Sequence, residues 1–196
     1  MDYAIMFGGV AALLGIIQYV PYIRDTWIGK TKPHAFSWFV WSVPTLIVFA
    51  AQLVSGGGAG SWTTGVSALM CTIIFVIALR YGERERTALD YILLAVSIVA
   101  LFLWWLTSDP LLSVILVTAA DVIGFGPTIR KSIQAPYEET AFTYWISGFK
   151  WICSLIALSE FSAINSTYPL AMIVANWGFV ALLYYYRRIY DTHSIQ

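Results

Sequence analysis

The sequence predicts an all-α integral membrane bundle of seven transmembrane helices, built as two parallel three-helix repeats joined by a linker helix. Three observations predict it. Of 196 residues, 59% are hydrophobic and only 11% charged, whereas a soluble domain carries about 25% charged residues. The apolar residues fall in blocks of about twenty, the length at which a helix crosses the hydrocarbon of a bilayer. Finally, "PYIRDTWIGKTKPHAFSWFVW", from Pro21, returns as "PTIRKSIQAPYEETAFTYWIS", from Pro127, ungapped and at an offset of 106 residues.

Span one covers 3–22 and lacks the basic region and cleavage site of a signal peptide, so it reads as retained. Its Gly8, Ala12 and Gly15 form a small-residue ridge for close helix approach. Span two, 36–54, carries Trp38 and Trp41 on one face and Pro44 within it. The run "SGGGAGS" is a flexible turn into span three, 61–80. Span four, 88–106, has no counterpart in the repeat. Span five, 110–128, spaces Thr118, Asp121, Gly124 and Thr128 along one face. Span six, 140–158, lines up Thr140, Thr143, Ser147, Lys150 and Ser154 by alternating steps of three and four, a polar stripe on a helix. Span seven, 168–187, holds Asn176 well inside it.

The basic residues test the count. Arg24, Lys30, Lys32, Arg80, Arg84, Arg86, Arg130, Lys131, Arg187 and Arg188 all fall on the side reached after spans one, three, five and seven. The other side receives Asp2, Asp109 and Glu160. By the positive-inside rule the N-terminus is outside and the C-terminus cytoplasmic. Both copies of the repeated phrase then start at the cytoplasmic end of a span. Three helices end on the side opposite their start, so two parallel copies need an odd span between them, which span four supplies. The chain divides into residues 1–82, the linker helix at 83–108, and residues 109–196 with a short tail.

Asp121 and Lys150 sit near the middles of their spans, where a charge costs roughly 2.5–3.5 kcal/mol. A mutual ion pair would offset that cost, and the stripes of spans five and six should face each other or a water-filled path. The pair reads either as structural or as functional, with Asp121 a proton carrier tuned by Lys150, or with the two charges binding a zwitterion. Trp38 and Tyr144 read as interfacial anchors, while Trp41 serves equally as an anchor or as a ring for a polar solute to stack on. Pro21, Pro127 and Pro44 are hinge candidates, with helix termination the alternative for the first two. Cys71 and Cys153 read as small core residues, and His34 and His193 as solvated. "NST" at Asn165 fits a glycosylation acceptor. No His, Cys or carboxylate cluster has ligand or nucleophile spacing, so neither metal, cofactor nor enzymatic activity is expected, and nothing points to nucleic acid.

The doubled three-helix plan, Pro21 and Pro127 at matching inner helix ends, and "ANWGFVALLYYYRR" in span seven resemble the SWEET, SemiSWEET and PQ-loop superfamily of small-solute transporters. The resemblance implies alternating access of the two repeats, a solute contact at Asn176 and self-association into oligomers. Met70 stands where sugar-binding members have a second asparagine, and neither copy holds the Pro-Gln dipeptide. The expected function is transport of a small polar solute across a lipid bilayer, with sugar favoured by the resemblance. The site expected for it consists of Asn176, Trp41, Asp121, Lys150 and Ser147. One alternative is proton-coupled transport of an amino acid or other zwitterion, with Asp121 and Lys150 coupling. Another is a seven-helix ligand or sorting receptor, which the short outer loops and short tail disfavour.

Overall fold

A computed structural model of the chain describes residues 2–54, 60–106, 110–158 and 163–193. Among these the fold is all-α, without strands. The helices are α1 (Asp2–Ile17), α2 (Tyr19–Trp27), α3 (Ala35–Val54), α4 (Gly60–Tyr81), α5 (Ala88–Leu106), α6 (Pro110–Gln134), α7 (Ala141–Ile156) and α8 (Ala163–His193), with one 3₁₀ turn (Pro136–Glu138). Residues 55–59 of the Gly-Ser turn, Asp109 and Glu160 lie outside the described residues. Among the described residues, three stretches are long and apolar enough to cross a membrane: Tyr3–Trp27, Trp62–Tyr81 and Ser166–Thr192.

α1 and α2 form one rod interrupted only at Gln18. Pro21 explains the interruption, since it offers no N–H to the carbonyl four residues back and its ring crowds that carbonyl. The helix nevertheless continues to Trp27, and Pro127 likewise lies within α6. Neither proline ends its helix. The actual stop of α2 is Gly29, at φ +76°. The Lys30 N–H donates to the Asp25 carbonyl (2.8 Å) and the Gly29 N–H to that of Thr26 (3.1 Å), which satisfies the last carbonyls of the helix. α5 starts on a reciprocal cap: the Thr87 N–H donates to Asp90 Oδ2 (2.8 Å), and the Asp90 N–H to Thr87 Oγ1 (3.4 Å).

Packing follows one pattern twice. α1 packs on α4 and α4 on α3; α6 packs on α8 and α8 on α7. Across the middle, α1 meets α7 and α6 meets α3, while α5 lies against α6 and α3. At Gly15 a Cβ would make only ordinary contacts, with Val66 Cγ1 at 3.4 Å and Lys150 Cδ at 3.6 Å, so the packing there does not require a glycine. At Gly124 a Cβ would meet Trp41 Nε1 at 2.9 Å and Val40 Cγ1 at 3.0 Å, so α3 and α6 come this close only through a glycine.

The interior is polar and the exterior apolar. Asp121, Lys150, Lys131, Glu139, Asp90, Gln18, His34 and Asn176 are buried, while Met6, Leu13, Val76, Leu79, Ile92, Phe102 and Val174 are exposed. A chain folded in water sorts these groups the other way. The segments carrying most of the basic residues meet at one end of the bundle. The Lys32 N–H donates to the Glu138 carbonyl, Glu83 N–H to Pro33, Arg130 Nη2 to Glu85 and Arg187 Nε to Pro136.

Candidate functional site

A cavity opens in the centre, with about 60 Å³ available to the centre of a water molecule. Helices α2, α3, α4, α6, α7 and α8 contribute to its wall, together with Gln18 at the junction of α1 and α2. Asn176, Trp41, Asp121, Lys150 and Ser147 all line it. Pro21, Pro127 and Pro44 do not; they sit within α2, α6 and α3.

α6 supplies Asp121 one turn and a half before Pro127. Its Oδ2 accepts a hydrogen bond from the Tyr168 hydroxyl of α8 at 2.5 Å, while Oδ1 is buried with no hydrogen-bond partner. The Asp121 carbonyl accepts from the Trp41 indole at 3.0 Å, which ties α3 to α6 at the cavity wall. α7 supplies Lys150, whose Nζ donates to Ser67 Oγ of α4 at 3.0 Å and lies 4.5 Å above the Trp151 ring. Asp121 and Lys150 form no ion pair with each other, which decides a point the sequence leaves open. The reason is packing. α7 lies against α1 and α8, so its polar stripe points to α1 and α4, and Ser67 reaches the ammonium first. Tyr168 and Trp151 stand between the two charges as an edge-to-face pair, 5.2 Å between centroids.

Two polar stripes thus share a cavity without facing each other along their length. Thr143 donates to the Gln18 carbonyl at 2.8 Å, and Thr128 to Ser37 Oγ at 2.8 Å, both across the midline of the bundle. Asn176 turns its amide N–H to the Met172 carbonyl one turn back, at 2.7 Å. Gln18, Tyr19, Ser67, Cys71, Tyr168 and Met172 also line the cavity and were not among the expected site residues. A polar side chain inside apolar span one was the available signal for Gln18; nothing in the spacing of Tyr168 or Ser67 separated them from ordinary helix residues.

The reading of Trp38 and Tyr144 is corrected. Both are 2% exposed and belong to a chain of rings, Tyr22–Trp38–Trp41–Phe125–Tyr144–Phe179, that floors the cavity. They serve the core, not an interface with lipid headgroups. Beneath this floor, Glu139 accepts hydrogen bonds from Tyr22 (3.1 Å) and Tyr144 (3.2 Å) and pairs with Lys131 at 2.5 Å. Lys131 also donates to the carbonyls of Lys32 and Glu138, and Lys32 pairs with the Glu138 carboxylate. This knot joins α2, α6, α7 and two loops, and it closes the loop-bearing end. His34 likewise proves to be buried, at 1% exposure, with Nε2 3.6 Å from Asp90 Oδ2. Burial pushes its imidazole down to about 4, against a smaller upward pull from Asp90.

No family model, no curated protein and no solved structure matches the chain. The site has to be read from its own chemistry. It offers a buried carboxylate with a free oxygen, a buried ammonium with one of its three donors engaged by Ser67, an amide and several rings.

Proposed function

We propose that this chain is a seven-span membrane transporter, N-terminus outside and C-terminus cytoplasmic, that moves a small zwitterionic solute by alternating access of its two three-helix units. One observation carries the reading: a buried carboxylate and a buried ammonium line one cavity, and neither pairs with the other. Charges inside a bundle of apolar helices persist where they bind something or line a path. A solute bearing an ammonium and a carboxylate offers a partner to each, Asp121 Oδ1 for the first and Lys150 for the second. Size agrees, since at roughly 10–15 Å³ of such space per water the cavity holds about four to six waters. That suits a small amino acid better than a hexose, and it moves sugar to second place.

The doubled packing pattern, the polar interior and the converging basic loops support two parallel units with the basic loops in the cytoplasm. The knot around Glu139 then closes the cytoplasmic end, and opening it exposes the cavity to that side. Asp121, with Tyr168 on one oxygen only, is the proton-coupling group of this scheme. The test is uptake into proteoliposomes of labelled small amino acids and hexoses at two pH values. Saturable amino-acid uptake that Asp121→Asn and Lys150→Met each abolish is the expected result. Hexose uptake surviving both substitutions, or saturable binding without flux, overturns the reading, the latter in favour of a receptor.

A further inference from the structure

Gln18, His34 and Ser132 are the buried side chains among the described residues whose polar atoms all lack a hydrogen bond of good geometry, and of these only Gln18 lines the cavity. Gln18 is 0% exposed, and neither its amide oxygen nor its amide nitrogen makes such a bond, the Tyr19 hydroxyl being a polar neighbour at longer range. A carboxamide carries two donors and two acceptor sites, and burying them all unmet is costly. Nothing about its backbone requires an amide there. Gln18 is helical, its N–H donates to the Leu14 carbonyl at 3.0 Å, and its carbonyl is taken by Thr143. A leucine or methionine would satisfy the same backbone without the cost. Asp121 Oδ1 is the other unpartnered acceptor on the same wall.

Resting on the reading of this cavity as a solute site, we propose that Gln18 is its specificity-determining residue, selecting zwitterions that carry an additional neutral hydrogen-bonding group, a hydroxyl or an amide. The charged ends of the solute are held by Asp121 and Lys150. The third group meets the Gln18 amide, which donates to its oxygen and accepts from its proton. Gln18 stands at the interruption between α1 and α2, three residues before Pro21, where a small hinge movement swings the amide to the solute while Thr143 holds the backbone. A site built to hydrogen-bond a hydroxyl discriminates strongly against the analogue without it, whereas an apolar wall barely distinguishes the two.

The test compares Gln18→Leu with wild type in two measurements. In proteoliposomes, the ratio of serine to alanine uptake, each taken as kcat/KM, is expected to fall at least about tenfold in Gln18→Leu. In detergent without solute, the melting temperature of Gln18→Leu is expected to rise by about 2–4 °C, because an unmet amide has been removed. An unchanged ratio, or a fall in both solutes alike, overturns the proposal, the former meaning that water alone serves the amide. A lowered melting temperature also overturns it, by showing a structural role. If wild type moves neither amino acid but moves a sugar, the zwitterion reading fails, and the same ratio is taken between that sugar and its deoxy analogue. If it moves nothing offered, the transport reading fails and the proposal that rests on it falls with it.

Discussion

Replacing Glu139 by alanine should destabilise the protein severely. Its carboxylate is wholly buried, and so is the Lys131 ammonium, with side-chain exposures of 0% and 3%. Removing one member of a buried pair leaves the other charge uncompensated, at a cost of about 3–5 kcal/mol. The Tyr22 and Tyr144 hydroxyls lose their acceptor in the same step, although Tyr22 still receives the Trp38 indole N–H at 3.1 Å. At about 2–4 °C per kcal/mol for a chain of this size, the melting temperature should fall by roughly 6–20 °C. Cys71 provides the assay, because its thiol is buried and free and becomes reactive to a fluorogenic maleimide on unfolding. A Cys153→Ser background isolates its signal. The double replacement Lys131→Met/Glu139→Leu should recover much of the loss, since exchanging both charges for apolar groups is often neutral. A shift under about 2 °C in Glu139→Ala, or a double variant as unstable as both single losses added, would refute this account of the knot.

Two further outcomes are expected. Gly124→Ala puts a Cβ against the Trp41 indole and Val40, so it should cost about 1–3 kcal/mol and lower solute uptake by displacing Trp41 from the Asp121 carbonyl; unchanged melting and uptake would contradict the close approach of α3 and α6. His34 governs a pH effect. Its folded value of about 4 lies below the ordinary 6.5, so the unfolded chain binds the proton more readily, and stability complete above pH 6.5 declines toward pH 4 and then levels. The amplitude is about 3 kcal/mol, and unfolding profiles of wild type and His34→Gln that superimpose would rule it out.

Much of the candidate site was legible because helical periodicity shows which residues share a face. Asp121, Ser147 and Lys150 fell on polar stripes, and Trp41 on an aromatic one, and all line the same cavity. Periodicity does not fix how a face is turned toward its neighbours. Periodicity therefore leaves open whether Asp121 and Lys150 pair, and α7 directs its lysine to Ser67 instead. Trp38 and Tyr144 were misread for a related reason: an aromatic near a helix end looks the same whether it meets headgroups or closes a cavity floor. From sequence His34 reads as a solvated loop residue, because nothing local announces that Asp90 and Phe36 lie against it. Hinge and helix end are equally open readings of Pro21 and Pro127 in the sequence, for a proline interrupts one hydrogen bond whether the helix stops or goes on.

The central claim is that two separated charges recognise the two ends of one solute. Competition for labelled-solute uptake by alanine, by ethylamine and by propionate measures this directly, since the last two each keep one charged end. The account predicts that alanine competes at least about tenfold better than either single-charge analogue. Equal potency of the three, or a neutral polyol outcompeting all of them, would contradict it.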